Sequence, residues 1–135
     1  MILVDANVFM YAAGKPHPHK APSVAFLERV ARRQIDAATD AEVLQEILHR
    51  YRALRRWSEG RSVYDLARTI VPAVLPITGE VVDEARRLLD QNQSVSARDA
   101  LHAAVFRESR ARAFCSFDSD FDRIPGMRRI EPQAV

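Results

Sequence analysis

The chain has 135 residues, 47% of them apolar and 28% charged, with a formal net charge of +2 and a sequence pI near 9.0. That length supports one buried core but not two, and the balance excludes a disordered or fibrous chain. No apolar stretch approaches the roughly 20 residues of a membrane helix, Asp5 brings a charge too early for a secretory leader, and the lone Cys115 excludes a disulfide framework, so a reducing cytoplasm is the expected location.

Residues 2–4 (Ile2, Leu3, Val4) form a short apolar run closed by Asp5, the pattern of a strand buried on both faces. Residues 7–13 read as a helix ended by Gly14, Lys15 and Pro16. A surface connection over 14–22 follows, with three prolines and two histidines, His17 and His19. Residues 21–33 carry Val24, Phe26, Leu27, Val30 and Ala31 on one face of a helix.

A second strand is expected over 35–38. Thr39 and Glu42 then make a capping box for a helix running to about residue 57, with an apolar stripe of Val43, Leu44, Ile47, Leu48, Tyr51 and Leu54. A further helix spans about 61–71, ended by Pro72. Residues 74–77 read as a strand placed at a sheet edge by Pro76. Thr78 caps a helix reaching residue 90, and Ser96 caps another over 97–109. Residues 113–117 give a fourth strand and 128–130 a short fifth. This alternation argues for an α/β fold, a parallel sheet covered by helices on both faces, with residues 1–135 as a single domain.

In such sheets, sites form beyond the carboxyl ends of strands, where the strand order reverses. Asp5 and Asp118 both fall at strand ends, Glu46 lies one turn into its helix, and Asp99 is in the first turn of another. Each has an ordinary alternative. Asp5 can cap a helix, Glu46 can pair with Arg50 four residues on, and Asp99 suits a helix dipole. Yet Asp99 lies in a helix of small and apolar residues, where a buried carboxylate is costly without a partner. Four acids gathered without a nearby lysine suit a hard divalent cation.

Other chemistries fit poorly. The run Asp118, Ser119, Asp120, Phe121, Asp122 resembles a calcium loop, but its sixth and twelfth positions are Arg123 and Arg129. Asp120 and Asp122 remain as turn caps or outer ligands. There is no glycine-rich phosphate loop and no nucleophile elbow. Cys115 reads as a packed small hydrophobe, His17 and His19 as solvated, and His102 as a structural histidine able to bond Asp99. Lys15 and Lys20 are the only lysines, and arginines crowd the ends of two helices, suited to solvent or to an RNA backbone.

Taken together, Ile2 to Val8, Val43 to Leu48, Ala97 to Ala104 and Ser116 to Phe121 resemble the PIN domain, and more closely the VapC-type toxin ribonucleases of toxin–antitoxin pairs. The resemblance implies a three-layer α/β/α sandwich with a short parallel sheet, and a Mg²⁺- or Mn²⁺-dependent endoribonuclease. Its acidic site would be Asp5, Glu46, Asp99 and Asp118, with Asp5, Asp99 and Asp118 on the metal. It also implies a homodimer and a small VapB-like antitoxin partner that obstructs the site. Ala6 and Asn7 stand where many relatives carry a hydroxyl; Ser116 of the fourth strand is the substitute. A non-catalytic RNA- or protein-binding module of the same fold would keep these acids as caps and ion pairs.

Overall fold

A computed structural model describes residues 1–135. The elements are β1 (Ile2–Val4), α1 (Ala6–Ala13), α2 (Lys20–Ala31), β2 (Ala37–Asp40), α3 (Ala41–Ala53), α4 (Trp57–Ile70), β3 (Val74–Leu75), α5 (Gly79–Gln91), α6 (Ala97–Ser109), β4 (Ala113–Cys115) and β5 (Arg129–Ile130). Short 3₁₀ turns cover Ser119–Arg123 and Pro132–Ala134.

The sheet runs β3-β2-β1-β4-β5 and every pairing is parallel. β1 is central, with Ile2 opposite both Ala37 and Ala113. Side chains alternate across the sheet, so the three residues of β1 feed two cores. Ile2 and Val4 join Phe9, Phe26, Val43 and Ile47 on the face covered by α1 to α4. Leu3 and Phe114 join Leu88, Ala103, Ala104 and Phe121 on the face covered by α5 and α6. A sheet buried on both faces has no room for alternating polar residues, which is why the strands read as continuous apolar runs. No helix is long and apolar enough to cross a membrane.

Pro76 does follow an edge strand, since β3 closes one side of the sheet. Thr78 and Ser96 cap α5 and α6 through side-chain oxygens that accept from Val81 N and Asp99 N. Several boundaries depart from expectation: β3 ends at Leu75 instead of residue 77, and β4 at Cys115 instead of residue 117. β2 begins two residues later than the apolar run suggests, because pairing with β1 sets Leu3 against Ala38. Thr39 therefore lies inside the strand, and its hydroxyl donates to Val4 O at 3.0 Å instead of capping a helix. Asp40 is the N-cap of α3, its Oδ1 accepting from Val43 N at 2.9 Å.

The break between the third and fourth helices also comes about four residues earlier than the sequence suggests. α3 stops at Ala53, Arg55 adopts a left-handed φ of 56°, and α4 starts at Trp57. The two helices then fold onto each other where Gly60 meets Tyr51. A Cβ on Gly60 would lie 2.4 Å from the Tyr51 Cβ, so only glycine permits this close approach.

The strand order reverses between β1 and β4, the point at which an open parallel sheet leaves a crevice beyond its carboxyl ends.

Candidate active site

A cleft of about 740 Å³ opens at this crevice, and Asp5, Glu46, Asp99 and Asp118 all line it. The chain brings the four together by four routes: the end of β1, the second turn of α3, the first turn of α6, and the segment leaving β4. Within the cleft they form two groups. Ligand atoms of Asp5, Glu46 and His102 lie within 4.8 Å of one another, and so do those of Asp99, Asp118 and Asp120.

Asp5 is 5% exposed and fully engaged. Its Oδ1 accepts from Ala6 N at 2.7 Å, the capping role available to any aspartate before a helix. Its Oδ2 accepts from the Ser116 hydroxyl at 2.6 Å and from Asn7 Nδ2 at 3.2 Å. Burial pushes its carboxyl up from 3.8 to about 6; the charge of His102 and the Ser116 hydrogen bond oppose the rise, and Glu46 adds to it.

Ser116 is the hub of the site. Its single proton goes to Asp5, and its oxygen accepts from Asn7 Nδ2 at 3.1 Å and from Asp118 N at 3.0 Å. One donor and two lone pairs are all used. Asn7 completes the brace by accepting from Phe117 N through Oδ1 at 3.3 Å. The hydroxyl absent at Ala6 is supplied from β4's end, as expected, and it fixes the start of α1 against the Asp118 segment.

Glu46 does not pair with Arg50 as its i,i+4 spacing allowed. It sits 3.5 Å from an Arg98 nitrogen and 3.9 Å from His102 Nε2. Burial works to raise its pKa, but the His102 contact and then the Arg98 and Arg50 charges outweigh it, leaving the group below the ordinary glutamate value. Arg98 also approaches Glu42 at 3.3 Å, so Glu42 faces this arginine and not the start of its own helix.

His102 bonds Asp40, not Asp99: Nδ1 lies 2.7 Å from Asp40 Oδ2, with both side chains 1% exposed. Its Nε2 is buried with no hydrogen-bond partner. Burial alone would lower the histidine's pKa, yet Asp40, Glu46 and Asp5 together hold it well above the ordinary value. Asp40 thus caps α3 with one oxygen and orients His102 with the other.

Asp99 and Asp118 are different in kind, since neither forms an ion pair with a basic side chain. Burial raises the pKa of Asp99, and the facing charge of Asp118 raises it further. Asp118 also caps the turn after it, accepting from Asp120 N at 2.9 Å. Asp120 joins the group, whereas Asp122 is drawn away by Arg129 at 2.9 Å. Hard carboxylate oxygens crowded without a counter-charge fit a divalent cation. Burial pushes the Cys115 thiol up to about 12, consistent with an inert packing residue.

Asp40, Arg98 and the rim residues Tyr11, Lys15 and His17 were not singled out as site residues by the sequence. A signal existed only for Asp40, which like Asp5 separates an apolar strand from a helix.

A description of the PIN domain matches residues 2–127. A VapC ribonuclease of Mycobacterium bovis and ribonuclease VapC13 of Mycobacterium tuberculosis are each 44% identical over 130 residues, spanning 96% of this chain and 99% of theirs. Ribonuclease VapC23 of Mycobacterium tuberculosis is 36% identical over 118 residues, with 87% and 93% covered. Among solved structures, VapC20 of Mycobacterium tuberculosis, a sarcin-ricin loop cleaving toxin, superposes with a TM-score of 0.74 at 21% identity over 98% of this chain and 100% of its own. VapBC2 of Rickettsia felis, bound to a promoter DNA fragment, gives 0.77 at 20% identity over 97% and 98%.

Proposed function

The chain belongs to the PIN-domain family, among its VapC ribonucleases, and from that premise we propose that it is the toxin of a toxin–antitoxin pair, a metal-dependent endoribonuclease that hydrolyses RNA phosphodiesters. The observation that carries this reading is the juxtaposition of Asp99 and Asp118, free of basic partners, in the cleft that Asp5 enters from β1.

Asp5, Asp99 and Asp118 would hold Mg²⁺ or Mn²⁺, whose chemistry there is to lower the pKa of an attacking water and offset charge developing on the phosphate. Glu46 stays ionised near neutrality because His102 and Arg98 favour its carboxylate, so it orients water as an acceptor. Asp40, acting through His102, positions Glu46 from behind. Ser116 and Asn7 keep Asp5 and the Asp118 segment in a fixed relation, which preserves the reacting geometry.

The partner is a small VapB-like antitoxin that covers the site, a reading supported by the VapBC2 assembly of Rickettsia felis. Residues 1–135 act as one domain, working as a homodimer.

The test is cleavage of a structured RNA pool by purified protein with Mn²⁺, Mg²⁺ or EDTA, alongside Asp5→Asn and Asp99→Asn. Site-selective cuts should require metal, and each amide should reduce the rate by about a hundredfold or more while the protein stays folded. Equal cutting by wild type and variants would trace the activity to a contaminant. RNA binding without cleavage, in protein free of any copurified antitoxin, would move the reading to a non-catalytic binding module.

A further inference from the structure

The connection after α1 does not present its histidines to solvent as isolated side chains. His19 stacks on Phe117 with ring centroids 3.9 Å apart and planes 13° from parallel. Tyr11 meets both edge-on, at 4.9 Å from His19 and 5.4 Å from Phe117. His17 lies over Tyr11 at 4.6 Å and beside His19 at 4.8 Å. Four rings from two distant segments therefore make one cluster, with the His17 ring exposed at its outer side.

The segment carrying it is built to hold a shape. Pro16 and Pro18 restrict the backbone, His19 N donates to His17 Nδ1 at 3.0 Å, and Lys20 reaches back to Gly14 O. Phe117 packs against the core, but core packing does not account for the other three rings, of which His17 is exposed and Tyr11 and His19 only partly buried.

Tyr11 and His17 line the same cleft as the acids, and Phe117 directly precedes Asp118. Lys15 and Arg50 line it too, and neither forms an ion pair. A cleft with acids at its floor, free cations and a ring cluster at its rim matches a strand of alternating phosphates and bases. Stacking on aromatic rings is how unpaired bases are held, and it requires them to be out of a duplex.

Building on the ribonuclease reading, we propose that Tyr11, His17, His19 and Phe117 form a stacking platform for an unpaired base of the RNA, with Lys15 and Arg50 meeting its phosphates. The platform selects single-stranded segments for the acidic site. It seats a base beside the scissile linkage and so contributes binding, not chemistry.

The experiment measures binding of a short unstructured fluorescein-labelled oligoribonucleotide to the whole chain in EDTA, so that the RNA survives. The same ribose-phosphate chain without bases and a matching duplex serve as comparisons. Wild type should bind the intact single strand about tenfold more tightly than either comparison. His17→Ala and Tyr11→Leu should lose most of that difference, while Tyr11→Phe, which keeps the ring, should retain it. His17 is exposed, so its truncation leaves the fold intact, and a melting curve checks the Tyr11 variants. Equal affinity for chains with and without bases would overturn the platform. So would unchanged RNA affinity in both ring-loss variants, including the case in which they fail to bind the antitoxin instead. Mn²⁺-dependent cleavage with unaltered variants would remove the platform and leave the nuclease. Base-dependent binding lost in His17→Ala, without cleavage under any metal, would do the reverse.

Discussion

At the scale of single residues, Asp5 carries the clearest electrostatic cost. Its carboxyl titrates near 6 in the folded chain against 3.8 when unperturbed, chiefly because it is buried. A folded-state pKa raised in this way adds stability below about pH 4, and that contribution is lost as pH climbs through 6. At about 1.4 kcal/mol for each pH unit between the two values, ionised Asp5 costs the cation-free protein roughly 3 kcal/mol at neutral pH. Asp5→Asn should accordingly melt higher than wild type at pH 7 in EDTA, with the gap closing below about pH 4. Calorimetry across that range checks it, and a variant that melts lower at pH 7 would show that the Ser116 and Asn7 hydrogen bonds matter more than the charge. The residue that makes the site costly to leave empty is the one that would gain most from a cation.

At the scale of elements, Asp40 joins the sheet, a helix and the site. One oxygen caps α3 and the other holds the buried His102. Asp40→Ala should destabilise the protein by about 3–5 kcal/mol in urea denaturation, since it strands a buried histidine and removes a cap. Asp40→Asn keeps the cap and should cost less. A loss under about 1 kcal/mol for the alanine variant would mean that His102 finds another partner. Asp40 also shows where local pattern stops informing. Thr78 and Ser96 were readable as caps because nothing competes with them. Thr39 and Asp40 are both able to cap, and the choice falls to a backbone register set by β1. The break between α3 and α4 carries no proline, and its glycine lies inside α4, where its purpose is contact with Tyr51. The four acids were legible because each lies just beyond a strand or in the opening turns of a helix. The Asp40–His102 pair, the Arg98 contacts and the ring cluster were not, because each joins segments whose meeting depends on the finished fold.

At the scale of the whole molecule, the parallel sheet brings to one crevice acids that are 113 positions apart at their extremes, Asp5 and Asp118. No basic side chain pairs directly with Asp99 or Asp118, so a cation that binds only the folded chain should stabilise it. Mg²⁺ or Mn²⁺ at a hundredfold its dissociation constant should add about 2.7 kcal/mol, visible as a higher melting temperature reversed by EDTA. The gain should shrink as pH falls through 6, because Asp5 must give up its proton to bind. No shift up to millimolar metal would argue against a preformed site. The order of the strands has a further consequence during synthesis. β1 is made first but lies between β2 and β4, and the partner on its far side is not translated until more than a hundred residues later. Ser116 and Asp118 arrive with that partner. A chain synthesised only through α6 therefore has Asp5 without its hydroxyl donor and Asp99 without its facing acid.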